Sequence, residues 1–318
     1  MTSCGRFRYW FAMSSPNPTG AREAVCGGGC RVWLQVAIPG ASSGLCFPAF
    51  PSILGALGAT GLGLTPVFIL LPPSETKAPG GSGAPLRLES LHFAEQFTAI
   101  RRTLIEDLLA LDDATMAQVL KLSARQRDEV AANRQLLTAA TMPAIARYTG
   151  VLYDALDAAT LTEKQQSRLM VCSALFGLLA ATDEIPHYRL SGGTKLPYRD
   201  STDPAPTMKR RWQEAMSQAL AELAAADDLI IDMRSGAYQA LGGCDDLVTV
   251  RVESVQADGS RKVVSHHNKH YKGLAARLLA SAKQTPTTLP EAAAIIAADP
   301  TLSPEITDDR LLTLIVER

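Results

Sequence analysis

The stretch that decides the fold is VFILLPPSETK at residues 67–77. Its first five residues are apolar without interruption, which predicts a central strand buried on both faces of a sheet. Two prolines then end the strand, since proline cannot donate a hydrogen bond to a sheet. Ser74 and Lys77 follow on a loop at the carboxyl end of that strand, where open sheets usually bind ligands. The stretch therefore predicts both a buried sheet and a polar site at one of its edges.

Five other segments are predicted to be strands. Residues 229–231 form a second short apolar run that ends in polar residues, and residues 169–179 are strongly apolar, which predicts one further strand. Residues 248–255 alternate apolar with polar side chains, and residues 261–265 follow after an Asp-Gly turn, so the two predict a hairpin. Residues 311–316 predict a last strand.

The helices are indicated by apolar residues three or four positions apart. One such stripe runs from Phe93 through Phe97 to Leu108, and another runs from Met208 through Trp212 to Leu223. We expect Trp212 to pack in the core, because it lies on that stripe. Together the elements predict a mixed α/β fold (α+β in class), a single domain over residues 67–318 with a central mixed sheet flanked by helices.

The first 66 residues differ from the rest of the chain. The whole chain has 318 residues and a net charge of −1, but residues 1–66 carry four arginines and one glutamate and hold four of the six cysteines. Residues 32–74 lack charge, yet recurrent proline and glycine make a spanning helix unfavourable, so no membrane partner is expected. We expect residues 1–66 to be a disordered, low-complexity extension upstream of the true start at Val67.

A pair of short helices is predicted at residues 113–121 and 124–137, within a helical region that begins near residue 90. Leu122 and Ser123 form the hinge, and Ser123 is a candidate N-cap residue. The pair includes four cationic side chains that could face phosphate groups. They are Lys121, Arg125, Arg127 and Arg134.

Five motifs in order give the chain a resemblance to a known family. They are VFILLPPSETK at residues 67–77, RYTGVLY at 147–153, ALFGLL at 174–179 with IPHYRL at 185–190, DMRSGAY at 232–238, and HHNKHYKG at 266–273. The similarity covers residues 67–318, and it is similarity to the YaaA family of bacterial peroxide-stress proteins.

The resemblance implies a cytoplasmic protein that resists peroxide stress. Members of the family are understood to carry a helix-hairpin-helix element, which implies binding of double-stranded DNA without sequence specificity and a role in limiting iron-dependent oxidative damage. The helix pair is the counterpart of that element. It lacks a glycine between the helices, so a plain antiparallel pair with solvated charges remains an open alternative.

The loops at the strand ends supply a set of cations and hydroxyl groups, which is the lining expected around a phosphate or another oxyanion. The predicted members of this anion site are Ser74, Lys77, Arg147, Tyr148, Tyr153, Tyr188, Arg189, Arg234, Ser235, Tyr238, His267, Asn268, Lys269 and Lys272. The alternative function is therefore an enzyme or sensor for a nucleotide or other phosphorylated small molecule. The sequence identifies neither a cofactor nor a catalytic residue.

Three histidines, His266, His267 and His270, raise the question of a metal site. Adjacent residues in a strand point to opposite faces of the sheet, so His266 and His267 cannot readily share one metal ion. We therefore expect no metal at this cluster.

Overall fold

The structure is a computed structural model that describes residues 67–226, 229–263 and 268–316. The predictions made for residues 1–66 and for His266 and His267 lie outside the described residues. The strands are β1 (Val67–Leu71), β2 (Gly83–Pro85), β3 (Ala140–Pro143), β4 (Leu169–Ser173), β5 (Gly177–Ala180), β6 (Glu184–Ile185), β7 (Leu229–Asp232), β8 (Val248–Val255), β9 (Arg261–Val263), β10 (Ser303–Asp308) and β11 (Leu311–Val316).

Ten α-helices occur in the described ranges. They are α1 (Ala94–Ala110), α2 (Asp113–Val119), α3 (Asp128–Arg134), α4 (Ala144–Arg147), α5 (Val151–Leu156), α6 (Glu163–Gln166), α7 (Met208–Ala224), α8 (Gly236–Gln239), α9 (Asn268–Ser281) and α10 (Leu289–Ile296). Short 3₁₀ turns lie at Leu88–Ser90, Ala124–Gln126 and Ala158–Thr160. None of these helices is long and apolar enough to cross a membrane.

The main sheet has the strand order β10-β11-β8-β7-β1-β4-β5, and β9 adds to β8. The pairs β11–β8, β8–β7, β7–β1 and β1–β4 are parallel. The pairs β10–β11, β4–β5 and β8–β9 are antiparallel. The predicted mixed sheet flanked by helices is therefore confirmed. A second, small sheet joins β2, β3 and β6, which no sequence pattern had indicated.

The strand β1 lies inside the main sheet with all five of its residues buried. It pairs with β7 on one side and β4 on the other, so its backbone groups are satisfied from both edges. A strand in this position can be apolar at every residue, because helices cover both faces of a parallel region. The prediction that this run is a central buried strand is confirmed.

The apolar segment at residues 169–179 forms two antiparallel strands, β4 and β5, where the sequence predicted one. The reversal is built around Ser173, whose Oγ accepts hydrogen bonds from the backbone N–H of Leu175 (3.1 Å) and Phe176 (3.0 Å). Gly177 then adopts a φ of 69°, which L-residues rarely tolerate. The turn is apolar because it is buried, and hydropathy therefore does not reveal it.

The helix α7 packs one face on the sheet. Thr207 caps it by accepting a hydrogen bond from the backbone N–H of Arg210 at 3.2 Å. Trp212 is fully buried, donates its ring N–H to the carbonyl oxygen of Ala174 at 2.8 Å, and meets the ring of Phe97 edge-on at 5.4 Å. The predicted core role of Trp212 is confirmed.

Candidate functional site

Three parallel strands end at one edge of the sheet and bring the predicted loops together. Because β1 pairs in parallel with β4 and β7, the segments after Leu71, Ser173 and Asp232 emerge side by side. The chain leaves β1 toward β4 on one side and leaves β7 toward β8 on the other. The edge between β1 and β7 is thus a topological switch point, which is where open α/β sheets bind ligands.

The loop after β1 is fixed to the segment that precedes α5. Lys77 and Tyr148 form an antiparallel backbone bridge, and the hydroxyl of Tyr153 donates to the carbonyl oxygen of Pro72 at 2.8 Å. Gly150 faces the same loop with a φ of 100°. The structure therefore places Lys77, Tyr148 and Tyr153, three of the predicted residues, in one cluster.

The ammonium group of Lys77 lies among aromatic rings. Its Nζ is 4.4 Å from the ring centroid of Tyr188 and 5.5 Å from that of Tyr148, and it donates to the carbonyl oxygen of Ser74 at 3.1 Å. Burial lowers the pKa of Lys77 to about 7, and the positive charge of Arg189 acts in the same direction. A substantial fraction of this side chain is therefore a neutral amine near neutral pH.

A chain of hydroxyl groups runs behind Lys77. The Tyr188 hydroxyl lies 2.7 Å from Ser173 Oγ and 2.8 Å from the Tyr148 hydroxyl. Ser173 Oγ already accepts from two backbone N–H groups, so its own hydrogen must point to Tyr188. Tyr188 then donates to Tyr148, and the hydrogen of Tyr148 is left at the end of the chain for a further acceptor. We name Lys77, Tyr148, Ser173 and Tyr188 the Lys77 cluster.

The tyrosines of this region are protonated and do not act as bases. Burial raises the pKa of Tyr148, Tyr153 and Tyr188 well above the usual value for a phenol. Burial also raises the pKa of Tyr238 to about 12, and its hydroxyl accepts a hydrogen bond from the backbone N–H of Gly192 at 3.1 Å. All four remain protonated at neutral pH.

Arg189 lies beside the Lys77 cluster and is held by Glu75. Its Nη2 is 2.8 Å from Glu75 Oε2, and its Nη1 donates to the carbonyl oxygen of Glu75 at 3.2 Å. The Arg189 side chain is 12% exposed, whereas that of Glu75 is 67% exposed. The carboxylate thus approaches a largely buried guanidinium from the solvent side, which is the direction from which an anionic ligand would come.

Arg147 lies beneath the loop after β1 and is fully buried. Its guanidinium donates to the carbonyl oxygens of Ala78 (2.5 Å), Gly80 (2.8 Å) and Ile185 (3.1 Å). These bonds tie together β6 and the loop that carries Lys77. Carbonyl oxygens provide the partners that a buried arginine needs, and in this arrangement its effect on the site is to position Lys77.

A second cluster follows β7. Arg234 donates to Asp232 through Nε and Nη2, each at 2.9 Å, and both side chains are almost completely buried. Arg234 Nη1 also lies 3.9 Å from the Cys172 sulfur and 3.3 Å from the Tyr238 carbonyl oxygen. Burial lowers the pKa of Arg234, but the hydrogen bonds and charge of Asp232 outweigh it and hold the pKa above its usual value. Burial raises the pKa of Cys172, so this thiol stays protonated.

Lys272 reaches this second cluster from α9. Its side chain is buried, and its Nζ donates to the carbonyl oxygen of Met233 at 3.2 Å. Burial lowers the pKa of Lys272 to about 8, and the charge of Asp232 partly opposes that shift. Lys272 therefore joins Asp232 and Arg234 at the end of β7.

The remaining predicted residues lie further out. Ser235 is exposed at the start of α8, Asn268 is half-buried at the start of α9, and Lys269 is exposed beside it. Within the part of the chain that the structure describes, no hydrogen bond joins Asn268 or Lys269 to the Lys77 cluster. His267 lies outside the described residues.

Sequence reasoning missed three contributors to the site. Ser173 lies inside an apolar run that predicts a strand, and Glu75 is an acid beside the cations and hydroxyls that predict an anion site. His187 bridges the Lys77 loop and the helix pair, since its Nε2 is 3.0 Å from Glu129 Oε2 and its Nδ1 is 3.4 Å from the Ala78 carbonyl oxygen.

A cluster of three or more metal-ligating side chains does not occur in residues 67–226, 229–263 and 268–316.

The helix pair consists of α2 and α3 joined by a turn and a 3₁₀ segment. Lys121 lies in the turn with a φ of 54°, the left-handed conformation that a glycine would adopt without strain. Lys121, Arg125 and Arg127 are exposed. Arg134 instead donates to Asp113 Oδ1 at 3.0 Å and to the carbonyl oxygens of Leu109 and Leu111, so it closes the end of α1.

The pair is attached to the strand-end loops through α3. Asn133 donates from Nδ2 to the Arg189 carbonyl oxygen at 3.0 Å and accepts from the Arg189 backbone N–H at 2.8 Å. Glu129, four residues earlier on the same helix, contacts His187. Hydrogen bonds through α3 therefore connect the cationic turn to the loops that carry Arg189 and Lys77.

Replacing Lys121 by glycine should raise the free energy of unfolding by about 0.5 kcal/mol. A left-handed backbone costs a residue with a side chain about 1–2 kcal/mol, and the greater freedom of glycine in the unfolded chain offsets about 0.5–1 kcal/mol of the gain. Lys121→Ala, which keeps a Cβ atom, is the control and should not stabilise the protein. Urea denaturation of the two variants checks the sign, and equal destabilisation by both would contradict a strained turn.

Comparison with known proteins shows which family the sequence matches. Residues 67–294 match the family described as Peroxide stress protein YaaA. A UPF0246 protein of Corynebacterium efficiens is 54% identical over 252 residues, which cover 79% of this chain and 100% of that protein. A UPF0246 protein of Corynebacterium glutamicum is 58% identical over 214 residues (67% of this chain, 85% of that protein), and one of Streptomyces coelicolor is 42% identical over 238 residues (71% and 88%).

The fold and site define a mixed α/β protein with cations and hydroxyl groups gathered at a topological switch point. The chain belongs to the YaaA family of peroxide stress proteins, and this membership supports a role in oxidative stress. The resemblance seen in the sequence is thereby confirmed.

Proposed function

We propose that this is a cytoplasmic protein that binds double-stranded DNA without sequence specificity and limits iron-dependent oxidative damage to it. The observation that carries the proposal is the turn between α2 and α3, which presents three exposed cations, the first of them on a left-handed residue. Lys121, Arg125 and Arg127 lie within seven consecutive residues of this turn.

The absence of sequence specificity follows from the kind of contact this surface makes. Lysine and arginine side chains on a turn neutralise phosphates, which fixes the position of a protein on a duplex and carries no sequence information. The chain has a net charge of −1, so binding must come from this local patch and not from a global positive field. Arg134 is already occupied by Asp113 and by carbonyl oxygens, and we therefore leave it out of the test.

Removal of the three cations should lower the affinity for duplex DNA at least tenfold. The slope of log affinity against log salt concentration should fall by about 2–3, since each lost phosphate contact removes about 0.9 from it. Fluorescence anisotropy with two duplexes of unrelated sequence, over a series of salt concentrations, measures both quantities. The test variant is Lys121→Ala with Arg125→Ala and Arg127→Ala.

The matched control removes three exposed cations elsewhere: Lys209→Ala, Arg210→Ala and Lys283→Ala. We expect the control to keep the affinity and salt slope of the unaltered chain within a factor of two to three, and both duplexes to bind equally. Equal loss in the two triple variants would exclude the helix pair as the DNA interface. A strong preference for one duplex would contradict binding without sequence specificity.

A second candidate function, binding of a phosphorylated small molecule, is favoured by Arg189. Its largely buried guanidinium has an exposed carboxylate as its solvent-side partner, which an anionic ligand could displace. We expect a nucleotide or a sugar phosphate to raise the melting temperature of the chain, and Arg189→Met to abolish that rise. Lys283→Met is the control. If no such compound stabilises the protein, or if Arg189→Met responds equally, this candidate fails.

A further inference from the structure

We propose that Lys77 is a nucleophile that forms a Schiff base with the aldehyde of a phosphorylated sugar. That chemistry is presented by the ring-opened sugar of an abasic site in DNA and by free 2-deoxyribose 5-phosphate. The inference rests on the proposed function, because DNA bound at the helix pair or a sugar phosphate bound beside Arg189 brings the aldehyde to this loop.

The surroundings of the amine are those of a reactive lysine. Its two hydrogen-bond acceptors are the backbone carbonyl oxygens of Ser74 and Glu75, at 3.1 and 3.5 Å. The two carboxylates whose charges raise the pKa of Lys77 most contact other side chains instead: Glu75 pairs with Arg189, and Glu129 lies at hydrogen-bond distance from His187. Burial and the positive charge of Arg189 disfavour the ammonium form, and together they outweigh the attraction of the Tyr188 ring for the cation.

Groups that would recognise the rest of such a substrate are adjacent. The guanidinium of Arg189 is largely buried and pairs with the exposed carboxylate of Glu75 on its solvent side. A phosphate could take the place of that carboxylate. The hydroxyls of Ser74 and Thr76 lie 3.1 Å apart on the same loop. The hydrogen of Tyr148, at the end of the hydroxyl chain through Tyr188, can be donated to the aldehyde oxygen as the carbon is attacked.

The reaction balances without another reactant. The neutral amine of Lys77 adds to the aldehyde carbon, which forms a carbon–nitrogen bond and converts the carbonyl oxygen to a hydroxyl. Loss of that hydroxyl with a proton from the nitrogen releases one water molecule and leaves the imine. The hydroxyls near the site can relay the proton from nitrogen to oxygen, and nothing is oxidised or reduced.

The position of the helix pair suits a DNA substrate. His187 contacts Glu129 of α3 and the carbonyl oxygen of Ala78, the residue next to Lys77. Asn133 of α3 holds the backbone of Arg189 with two hydrogen bonds. DNA anchored on the turn before α3 is thereby set against the loops that carry Lys77 and Arg189.

The test traps the imine in the full chain. Sodium cyanoborohydride reduces an imine to a stable secondary amine, so a duplex with one abasic site should become covalently attached to the protein. We expect Lys77→Met and Lys77→Arg to lower the yield at least twentyfold, and the control Lys283→Met to leave it unchanged. Peptide mapping of the unaltered chain should locate the adduct on Lys77. The yield should rise with pH through about 7, where the amine becomes neutral.

Two further measurements separate the outcomes. Free 2-deoxyribose 5-phosphate is trapped in a parallel reaction, and binding of an intact duplex is measured with the same preparations. Trapping of either aldehyde on Lys77 supports the inference and identifies the source of the sugar. If Lys77 is trapped but intact DNA does not bind, the inference stands and only the proposed DNA function fails. Intact DNA bound with no adduct from either aldehyde overturns the inference and leaves the DNA function standing. An adduct on other lysines, or equal yields with Lys77→Met, also overturns it, whether or not the variants fold.

Discussion

Replacing Asp232 by asparagine should lower the free energy of unfolding by about 3–5 kcal/mol, the usual effect of breaking a buried ion pair from one side. The Arg234 side chain is 1% exposed and that of Asp232 is 3% exposed, so water cannot replace the missing charge. Both carboxylate oxygens accept hydrogen bonds from the guanidinium, and asparagine offers only one acceptor oxygen in their place. The variant therefore buries a guanidinium without its counter-ion.

The matched control for this prediction is Asp246→Asn. Asp246 pairs with Arg310 at 2.7 Å, a distance as short as that of the buried pair, but the two side chains are 60% and 52% exposed. An exposed pair contributes about 0–1 kcal/mol, so the control should be nearly neutral. Urea denaturation with a common slope gives both values. Similar losses in the two variants would mean that burial does not govern the strength of the Asp232–Arg234 pair.

The effect of Asp232 extends to the site at the end of β7. Its charge raises the pKa of Lys272, against the larger lowering caused by burial. Removal of that charge should therefore favour the neutral amine of Lys272 further. One carboxylate thus pairs directly with Arg234 and acts on Lys272 through its charge.

The sequence was sufficient where a local pattern decides the structure. The run at residues 67–71 is long enough for one strand and ends at two prolines, so its strand appears with the predicted bounds. The helix that contains Trp212 follows from a stripe that a 3.6-residue period alone explains. The prediction of a single strand at residues 169–179 was wrong because the pattern there does not reveal the turn. Ser173 and Gly177 make the turn, but the turn is buried, and the residues between them are as apolar as those of the strands.

The site could be predicted only in part, because convergence depends on sheet order. Lys77, Tyr148, Tyr188 and Arg189 were all identified from the loops that follow apolar segments, and the structure brings them together. Nothing in the sequence shows that Arg147 would turn away from solvent toward three carbonyl oxygens. The pairing of Glu129 with His187 is equally invisible, since 58 residues separate the two along the chain.

Replacing Gly273 by alanine should destabilise the protein by about 2–3 kcal/mol, although the same change in an open helix stabilises by about 0.5–1 kcal/mol. Gly273 lies in α9 where that helix packs on α5. A Cβ atom at this position would overlap the carbonyl oxygen of Leu152 and lie 2.8 Å from the Cβ atom of Ala155. The two overlapping atoms are a backbone oxygen and a Cβ atom, which no change of side-chain rotamer can move. Only a shift of one helix can therefore relieve the overlap.

The control is Gly236→Ala, in the first turn of α8, where a Cβ atom meets nothing within 4 Å. Thermal or urea unfolding should give the two substitutions opposite signs, and a stabilising Gly273→Ala would refute the close approach of α9 to α5. The separation of these helices also bears on the site, because α5 carries Tyr153, bonded to Pro72, and α9 carries Lys272, bonded to Met233. A shift of either helix moves one of these contacts relative to the other. The smallest residue in α9 thus sets the spacing between the loops that follow β1 and β7.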